Sequence, residues 1–331
     1  MNRLTRIFVL CCLCISVLLV CACKKKPDET VPQKYMTGTP VHGIPQYLYV
    51  DRSYTFTVSG ITDPKEGVSY SWEASNFAPG SCDTRSYTCL TPVDPGTYTI
   101  QVNVSCDGYY NIPLSQSVTV IDSTFFGCLA GIIPGNHSIE DPRDGLTYQT
   151  RTYGDLEWFV QNLNWAGAGN PYGKIEALGT PYGRLYSWNE ASRGVCPPGW
   201  HVPTNEEWAH LSTVVNGGAP LSFFDKWDKI ADPLCVYAKL NNAYIWPYSP
   251  HNTKSNTAAW NGLPGGSSSD HGTHYGNFAT FGFWWSASEA DENNGYYRYI
   301  NYDVNQFPYH YTDKDSFGAS VRCVRTVVNG D

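Results

Sequence analysis

The residues best suited to recognition chemistry lie in one segment near the C-terminus. Between residues 301 and 315 the chain is dense in Tyr, Asn, Asp and His and has few aliphatic side chains. Tyrosine rings can stack on a sugar or peptide, while amides and carboxylates can hydrogen-bond to it. The segment therefore predicts a surface for a glycan or protein ligand; the alternative is a polar hairpin exposed at the domain edge. The candidate residues are Asp303, Asn305, Tyr309, His310, Tyr311 and Asp313.

Other polar constellations give weaker signals for metal binding or catalysis. Asp270-His271-Gly-Thr-His274 carries two histidines three residues apart. Neutral imidazoles can bind Zn or Cu, but a third ligand is missing here, so we predict no metal site. Glu206 and Glu207 are paired carboxylates, and a helix-capping role accounts for Glu207. The sequence contains no serine nucleophile elbow, HExxH motif or phosphate loop, so we predict no catalytic residue and no cofactor.

Seven of the 12 cysteines follow residue 23, and in an exported chain they can form disulfides. Cys82 and Cys89 flank a six-residue polar stretch, so we favour a local bridge between them. Cys196 with Cys323 is the second candidate pair. An odd number leaves at least one cysteine free or paired between molecules. No pair has the C-x₂-C spacing of a zinc site.

The N-terminus has the features of an export signal. Arg3 and Arg6 precede an uncharged run from residue 7 to residue 22, which is shorter than the roughly 20 apolar residues of a membrane span. It fits the apolar core of a signal peptide over residues 1–22. The alternative is an uncleaved single-helix anchor. Either interpretation places residues 27–331 outside the cytoplasm.

The end of this run, Val20-Cys21-Ala22-Cys23, resembles the lipobox of bacterial lipoproteins. The resemblance implies cleavage before Cys23 and palmitate-type acylation of that cysteine. Two lipid chains, or one chain with a basic patch, are enough for stable anchoring, and Lys24 to Lys26 supply such a patch. We therefore expect an outer-membrane lipoprotein of a bacterial envelope, exposed at the cell surface and attached to the membrane by its N-terminal lipid.

The net charge is −8 at pH 7, and the three lysines after Cys23 are the main basic cluster. An acidic chain without a basic face does not fit a nucleic acid partner.

The composition of the exported part predicts four segments. Residues 23–40 read as a tether, 41–122 as an all-β domain, 123–137 as a linker and 138–331 as a larger domain that holds most of the tryptophans.

The first domain shows short alternating strands separated by Gly, Pro and Asp turns, which predicts a β-sandwich. It resembles immunoglobulin-like modules of the PKD type. The resemblance rests on a Tyr-x-Trp strand that ends at Trp72 and on the segment Pro95-Gly-Thr-Tyr98, which opens a later strand. Such modules are mostly spacers, so we assign no site to this domain.

The second domain combines short helical segments with strands. Thr204-Asn-Glu-Glu207 is a capping box that predicts a helix ended by Gly217 and Gly218. Residues 185–192 and 221–230 have further short helical patterns. From residue 280 onward the pattern is again that of strands.

A series of motifs in this domain matches a known family in order and spacing. The motifs are Asp141-Pro-Arg-Asp-Gly145, Gly154-Asp-Leu-Glu-Trp158, Gln161-Asn-Leu-Asn164, Gly183-Arg-Leu-Tyr-Ser-Trp188, Cys196-Pro-Pro-Gly-Trp-His-Val-Pro203, Leu263-Pro-Gly-Gly266, Trp284-Trp-Ser-Ala-Ser-Glu289, Tyr296-Tyr-Arg-Tyr299 and Ser320-Val-Arg-Cys-Val324. Together they resemble the FISUMP domain, the major paralogous domain of Fibrobacter succinogenes, which is also abundant in Bacteroidetes surface proteins. Many members carry an extra cysteine pair that residues 165–182 lack.

The resemblance implies a fold related to C-type lectin-like and formylglycine-generating-enzyme-like domains, and it implies no established activity. We therefore expect a multi-domain chain, with an all-β Ig-like sandwich followed by an α+β lectin-like domain. The leading hypothesis is a surface lipoprotein for adhesion or glycan or protein binding. The alternatives are a structural or tip subunit of a surface fibre and an envelope enzyme or carbohydrate-processing accessory protein.

Overall fold

The computed structural model describes residues 32–327. The predicted signal peptide and Cys23 lie outside this range. In the N-terminal domain, side chains alternate between a buried and an exposed face, as the two-residue period of a strand requires. Ile100, Val102 and Val104 are buried, for example, while the intervening Gln101 is exposed. The strands of this domain are β1 (Thr37–Val41), β2 (Tyr47–Tyr49), β3 (Ser53–Thr57), β4 (Ser59–Asp63), β5 (Ser69–Glu73), β6 (Ser81–Cys82), β7 (Ser86–Leu90), β8 (Gly96–Ser105) and β9 (Ile112–Ile121).

These strands form a five-stranded sheet of order β2-β9-β8-β5-β6 and two antiparallel pairs, β3-β7 and β1-β4. The core between them contains Trp72, which is fully buried against Tyr87. Strand β1 pairs with β4 from Thr37 onward. The strand pairing therefore extends into residues 37–40 of the predicted tether.

The segment predicted as a linker, 123–137, packs as part of the second domain. It forms α1 (Phe125–Cys128) and β10 (Leu129–Ala130). The side chains of Phe125, Cys128 and Leu129 are buried in the core of the second domain because their faces are apolar. Across the junction, the hydroxyl of Tyr49 donates to the carbonyl oxygen of Glu176 at 2.8 Å.

The second domain contains four further helices and fourteen further strands in the described residues. The helices are α2 (Gly179–Tyr182), α3 (Trp188–Ser192), α4 (Asn205–Val215) and α5 (Ala231–Leu234), and 3₁₀ turns cover Tyr172–Lys174 and Glu176–Leu178. The strands are β11 (His137–Glu140), β12 (Thr147–Tyr153), β13 (Leu156–Phe159), β14 (Asn170–Pro171), β15 (Arg184–Ser187), β16 (Lys239–Leu240), β17 (Ala243–Tyr244), β18 (Ser267–Ser269), β19 (His274–Gly276), β20 (Phe281–Glu289), β21 (Asn294–Asn301), β22 (Tyr309–Asp313), β23 (Gly318–Ala319) and β24 (Val324–Thr326).

The strands of this domain pair into four sheets. Their orders are β11-β12-β13-β24, β14-β15-β23-β18-β19, β20-β21-β22 and β10-β16-β17. Every pairing within these sheets is antiparallel. The last strand of the domain, β24, pairs with β13, so the two ends of the family motif series meet in one sheet.

The predicted capping box starts α4: the Thr204 side chain accepts from the Glu207 N–H, and the Glu207 carboxylate accepts from the Thr204 N–H. The two other helical predictions are corrected. Leu185 lies in strand β15, because a second capping box on Ser187 starts α3 only at Trp188. Residues 221–230 do not form a helix, because Trp227 and Lys229 have φ values of 53° and 66°, which a right-handed helix excludes.

The predicted Cys196–Cys323 disulfide is present, with a Cα–Cα distance of 5.8 Å. The preferred pair, Cys82–Cys89, is wrong, because both residues are free thiols. Cys89 lies on β7 and points into the core, whereas Cys82 lies on β6 in the other sheet and its Sγ contacts the Thr84 hydroxyl at 3.1 Å. Proximity in sequence did not bring the two side chains together, because each follows its own strand.

Candidate functional site

The C-terminal hairpin of β21 and β22 holds the aromatic residues on which the predicted site depends. Its register pairs Tyr296 with Tyr311 and Arg298 with Tyr309. Directly paired residues share one face of a sheet, so these four side chains lie on the same side. Tyr297 and His310 form the intervening pair and lie on the opposite side.

An exposed aromatic cluster covers the first of these faces. We call it the hairpin patch; it consists of Phe224, Tyr296, Tyr309 and Tyr311. The ring centroids are 5.3 Å apart for Phe224 and Tyr309, 5.6 Å for Phe224 and Tyr296, and 6.2 Å for Tyr296 and Tyr311. These distances fall in the range of favourable edge-to-face packing. Phe224 is 53% exposed and Tyr311 is 50% exposed, so the cluster presents ring surface to solvent.

A buried arginine, Arg298, supports the hairpin patch through hydrogen bonds to backbone carbonyl oxygens. Arg298 is fully buried, and its guanidinium donates to the backbone carbonyl oxygens of Phe223 and Phe307, and to that of Asp225 at 3.1 Å. Burial lowers the pKa of Arg298, while the carbonyl oxygens accept hydrogen bonds from its two terminal nitrogens. The arginine therefore ties the irregular segment around residue 224 to the hairpin and keeps Phe224 beside Tyr309.

The structure does not bring the six predicted residues together. Tyr309 and Tyr311 belong to the hairpin patch. His310 lies on the opposite face, where its ring is 5.9 Å from that of Tyr297 and its Nδ1 is 2.7 Å from the Tyr311 carbonyl oxygen. Asp313 accepts the N–H groups of Ser316 at 2.7 Å and of Asp315 at 2.9 Å. These bonds lower the pKa of Asp313 and give it a role in shaping the turn.

Asp303 and Asn305 lie in the loop at the other end of the hairpin. The Asp303 carboxylate accepts from the Ser249 hydroxyl at 2.7 Å, and this bond lowers the pKa of Asp303. The Asn305 side-chain oxygen accepts from the N–H of Asp232 at 2.8 Å. Both side chains bind neighbouring segments of the chain and lie apart from the patch.

Sequence reasoning missed two members of the patch. Tyr296 belongs to a motif that we interpreted only as a strand, although its pairing with a strand rich in Tyr was a usable signal. Phe224 lies in the segment expected to be helical and reaches Tyr309 only through the tertiary fold. No signal in the local sequence connects these two distant segments.

The two loop histidines point to different carboxylates. Nδ1 of His274 lies 2.9 Å from Oδ2 of Asp270, and Nδ1 of His271 lies 3.4 Å from Oδ2 of Asp315. Residues 32–327 contain no group of three or more His, Cys, Asp or Glu side chains arranged to hold a metal ion. The His274 imidazole is therefore within hydrogen-bond distance of its carboxylate, the His271 contact is longer, and the two rings face separate partners.

Several family motifs converge on a buried hydrogen-bond network. The Asn162 amide oxygen accepts from Trp284 Nε1 at 2.9 Å and from Arg322 Nε at 2.7 Å. The remaining Arg322 donors bond to the carbonyl oxygens of Phe159, Trp260 and Asn261. Burial lowers the pKa of Arg322 to about 9. Because Asn162, Trp284 and Arg322 are buried, this network stabilises the fold.

Comparison with known proteins agrees with these motifs. The model of the Fibrobacter succinogenes major domain family matches residues 150–325, and that of the PKD domain matches residues 38–108. No curated protein matches the sequence. Among solved structures, the adhesin InvE of Yersinia pseudotuberculosis aligns with 88% of this chain and 70% of that chain at 10% identity and a TM-score of 0.26, a score that supports no conclusion about fold or function.

None of the helices in the part of the chain that the structure describes has the length and hydrophobicity needed to cross a membrane. The family match covers more than half of the chain and contains the motif series from Gly154 to Val324. The PKD prediction for the first domain is also confirmed. The chain belongs to the Fibrobacter succinogenes major domain family.

Proposed function

We propose that this chain is a lipid-anchored bacterial surface protein whose C-terminal domain binds a glycan or protein ligand through the hairpin patch. The observation that carries the proposal is the cluster of four aromatic rings with Phe224 and Tyr311 half exposed. Tyrosine offers a large contact area at a small entropic cost, because its side chain has few rotatable bonds. A ligand that covers these rings gains both apolar burial and stacking.

The chemistry of the patch favours an uncharged partner. The four side chains that form it are phenyl and phenol rings, and Arg298 behind them is buried and bonded to carbonyl oxygens. The apolar C–H face of a sugar ring or an aromatic or aliphatic protein side chain matches such a surface. The proposal includes no catalytic residue, and it includes the lectin-like relationship that the motif resemblance implies for this domain.

The direct test is a glycan and extracellular-protein array probed with the full chain and with Tyr309→Ala and Tyr311→Ala. We expect each variant to weaken a detected interaction by roughly tenfold, the typical effect of truncating an interface tyrosine. Tyr248→Ala is the matched control, because Tyr248 is 77% exposed in the same domain but lies outside the patch. If both patch variants retain every interaction of the wild type, the patch is not the binding surface.

The anchoring part of the proposal rests on the lipobox resemblance around Cys23. Metabolic labelling with an alkyne analogue of palmitate should mark the wild-type protein in a bacterial host that processes lipoproteins. Cys23→Ser should abolish the label and the membrane association, whereas Cys21→Ser should retain both, because Cys21 lies on the signal-peptide side of the cleavage position. Unprocessed, unlabelled wild-type protein in the cytosol would contradict the proposal.

A further inference from the structure

A polar cleft lies outside the hairpin patch and has a volume of about 210 Å³. Four segments form it: β14, α3 with the strand before it, β18 with the loop that follows it, and the turn between β22 and β23 with the start of β23. Its lining includes Asn189, Glu190, Arg193, His271, Asp315 and Phe317. We propose that this cleft is a binding site for a single sugar ring, separate from the patch.

Two of the lining residues, Glu190 and Ser187, already form hydrogen bonds within the protein. The Glu190 carboxylate accepts the Ser187 N–H at 2.8 Å in the capping box of α3, and it also accepts the Gly169 N–H at 3.2 Å. The Ser187 side-chain oxygen in turn accepts a hydrogen bond from the Glu190 N–H. Glu190 and Ser187 therefore shape the wall of the cleft and have little capacity left for a ligand.

The remaining polar groups are only loosely paired. Asp315 is the centre of this set: Asn189 Nδ2 lies 3.4 Å from its Oδ1, and His271 Nδ1 lies 3.4 Å from its Oδ2. Both distances exceed the 2.7–3.2 Å of a good hydrogen bond. The side chains are also accessible to solvent, since His271 is 67% and Asp315 is 64% exposed. A ligand can therefore replace the long contacts with shorter bonds at small cost.

Arg193 adds a positively charged group to the lining of the cleft. Arg193, at the end of α3, has no side-chain hydrogen bond or ion pair with any other residue between 32 and 327. Arg193 supplies one positive charge against the carboxylates of Asp315 and Glu190, so the lining has no excess of positive charge. This balance disfavours a polyanion such as a polyphosphate, whose charges need a clear cationic excess.

Vicinal hydroxyls fit this arrangement better than other groups do. A hydroxyl both donates and accepts, so it can donate to Asp315 and accept from Asn189 or Arg193 at the same time. Phe317 and Leu185 supply apolar surface for the C–H face of the same ring. The volume is below the about 300 Å³ of the smallest drug-sized sites, so the cleft suits one ring and not a buried chain.

The test uses the full chain and free monosaccharides: glucose, galactose, mannose, rhamnose and N-acetylglucosamine, observed by saturation-transfer NMR and titrated into the tens of millimolar range. We expect at least one sugar to bind. Asn189→Ala and Asp315→Asn should each weaken that binding by roughly tenfold, because each removes a ligand hydrogen bond that involves a polar or charged group.

Matched controls separate a lost contact from a damaged fold. Asp270→Asn changes an equally exposed aspartate that does not line the cleft, and Asn293→Ala changes an exposed asparagine of the neighbouring turn. Both variants and Tyr311→Ala should bind the sugar as the wild type does. Circular dichroism and thermal unfolding of every variant should match the wild type, since Asn189 and Asp315 make no short side-chain bond within the fold.

Four outcomes overturn the inference. The first is that no sugar in the panel binds. The second is that a sugar binds equally well to Asn189→Ala and Asp315→Asn. The third is that Tyr311→Ala abolishes sugar binding while the cleft variants retain it, which would place the sugar on the hairpin patch and leave the proposed function standing. A cleft that instead binds a carboxylate-ended peptide in an Arg193-dependent manner also refutes a sugar site.

Discussion

Replacing both cysteines of the Cys196–Cys323 disulfide by alanine should destabilise the C-terminal domain strongly. The bond joins residues 127 positions apart, and the enclosed loop contains α4 and β20 to β22. Chain-entropy arguments give about 5 kcal/mol for cross-linking a loop of this length in the unfolded state. We expect a measured loss of about 3–5 kcal/mol, because unfolded chains are more compact than the ideal chain of that argument.

Urea unfolding followed by tryptophan fluorescence is the appropriate assay. Ten of the 11 tryptophans follow residue 150, so the signal reports mainly on the C-terminal domain. Cys235→Ala is the matched control, because it removes a fully buried thiol that forms no disulfide. It should cost about 1 kcal/mol, the value of one small buried apolar group. If Cys196→Ala/Cys323→Ala is no less stable than this control, the entropic reasoning is refuted.

Three further predictions concern other parts of the fold. Burial raises the pKa of Asp141, whereas hydrogen bonds from Arg143 and its positive charge lower it. The lowering is the larger effect, so the pKa of Asp141 lies below its ordinary value. Its stabilisation is therefore complete above the unfolded pKa of about 3.9 and is lost as the pH falls below it, so urea midpoints of Asp141→Asn should show a weaker acid dependence than those of the wild type. Thr204→Ala should cost about 1 kcal/mol in the same assay, because it removes the N-cap of α4. Alkylation of the unfolded, unreduced chain should label five cysteines within residues 32–327: Cys82, Cys89, Cys106, Cys128 and Cys235.

Each of these predictions has a control and an opposing result. An acid profile of Asp141→Asn that coincides with the wild type would mean that Arg143 does not lower the pKa in the folded state. Thr204→Ser retains the capping oxygen and should be near wild-type stability, so a cost equal to that of Thr204→Ala would contradict a capping role. Labelling of only three of the five cysteines, with Cys82 and Cys89 protected, would restore the local bridge that the structure excludes.

The sequence alone was sufficient where local rules apply. Alternation of apolar residues identified the long strands of the first domain. The Thr204 capping box located the start of α4, since a helix N-terminus needs only neighbouring residues to satisfy its N–H groups. The motif series predicted the family, and the structure explains part of it as the buried network around Asn162 and Arg322.

Only the tertiary structure decided which distant residues meet. Residues 221–230 have a helical pattern, but Trp227 and Lys229 have positive φ values, so the segment does not form a helix. It packs around Arg298 instead, and Phe224 contacts the hairpin. Strand register then assigned Tyr309 and Tyr311 to one face and His310 to the other. The same dependence on long-range pairing selected Cys323 as the partner of Cys196. Periodicity records which side of an element a residue occupies, whereas a site requires contacts between elements, and these follow from packing that no local pattern contains.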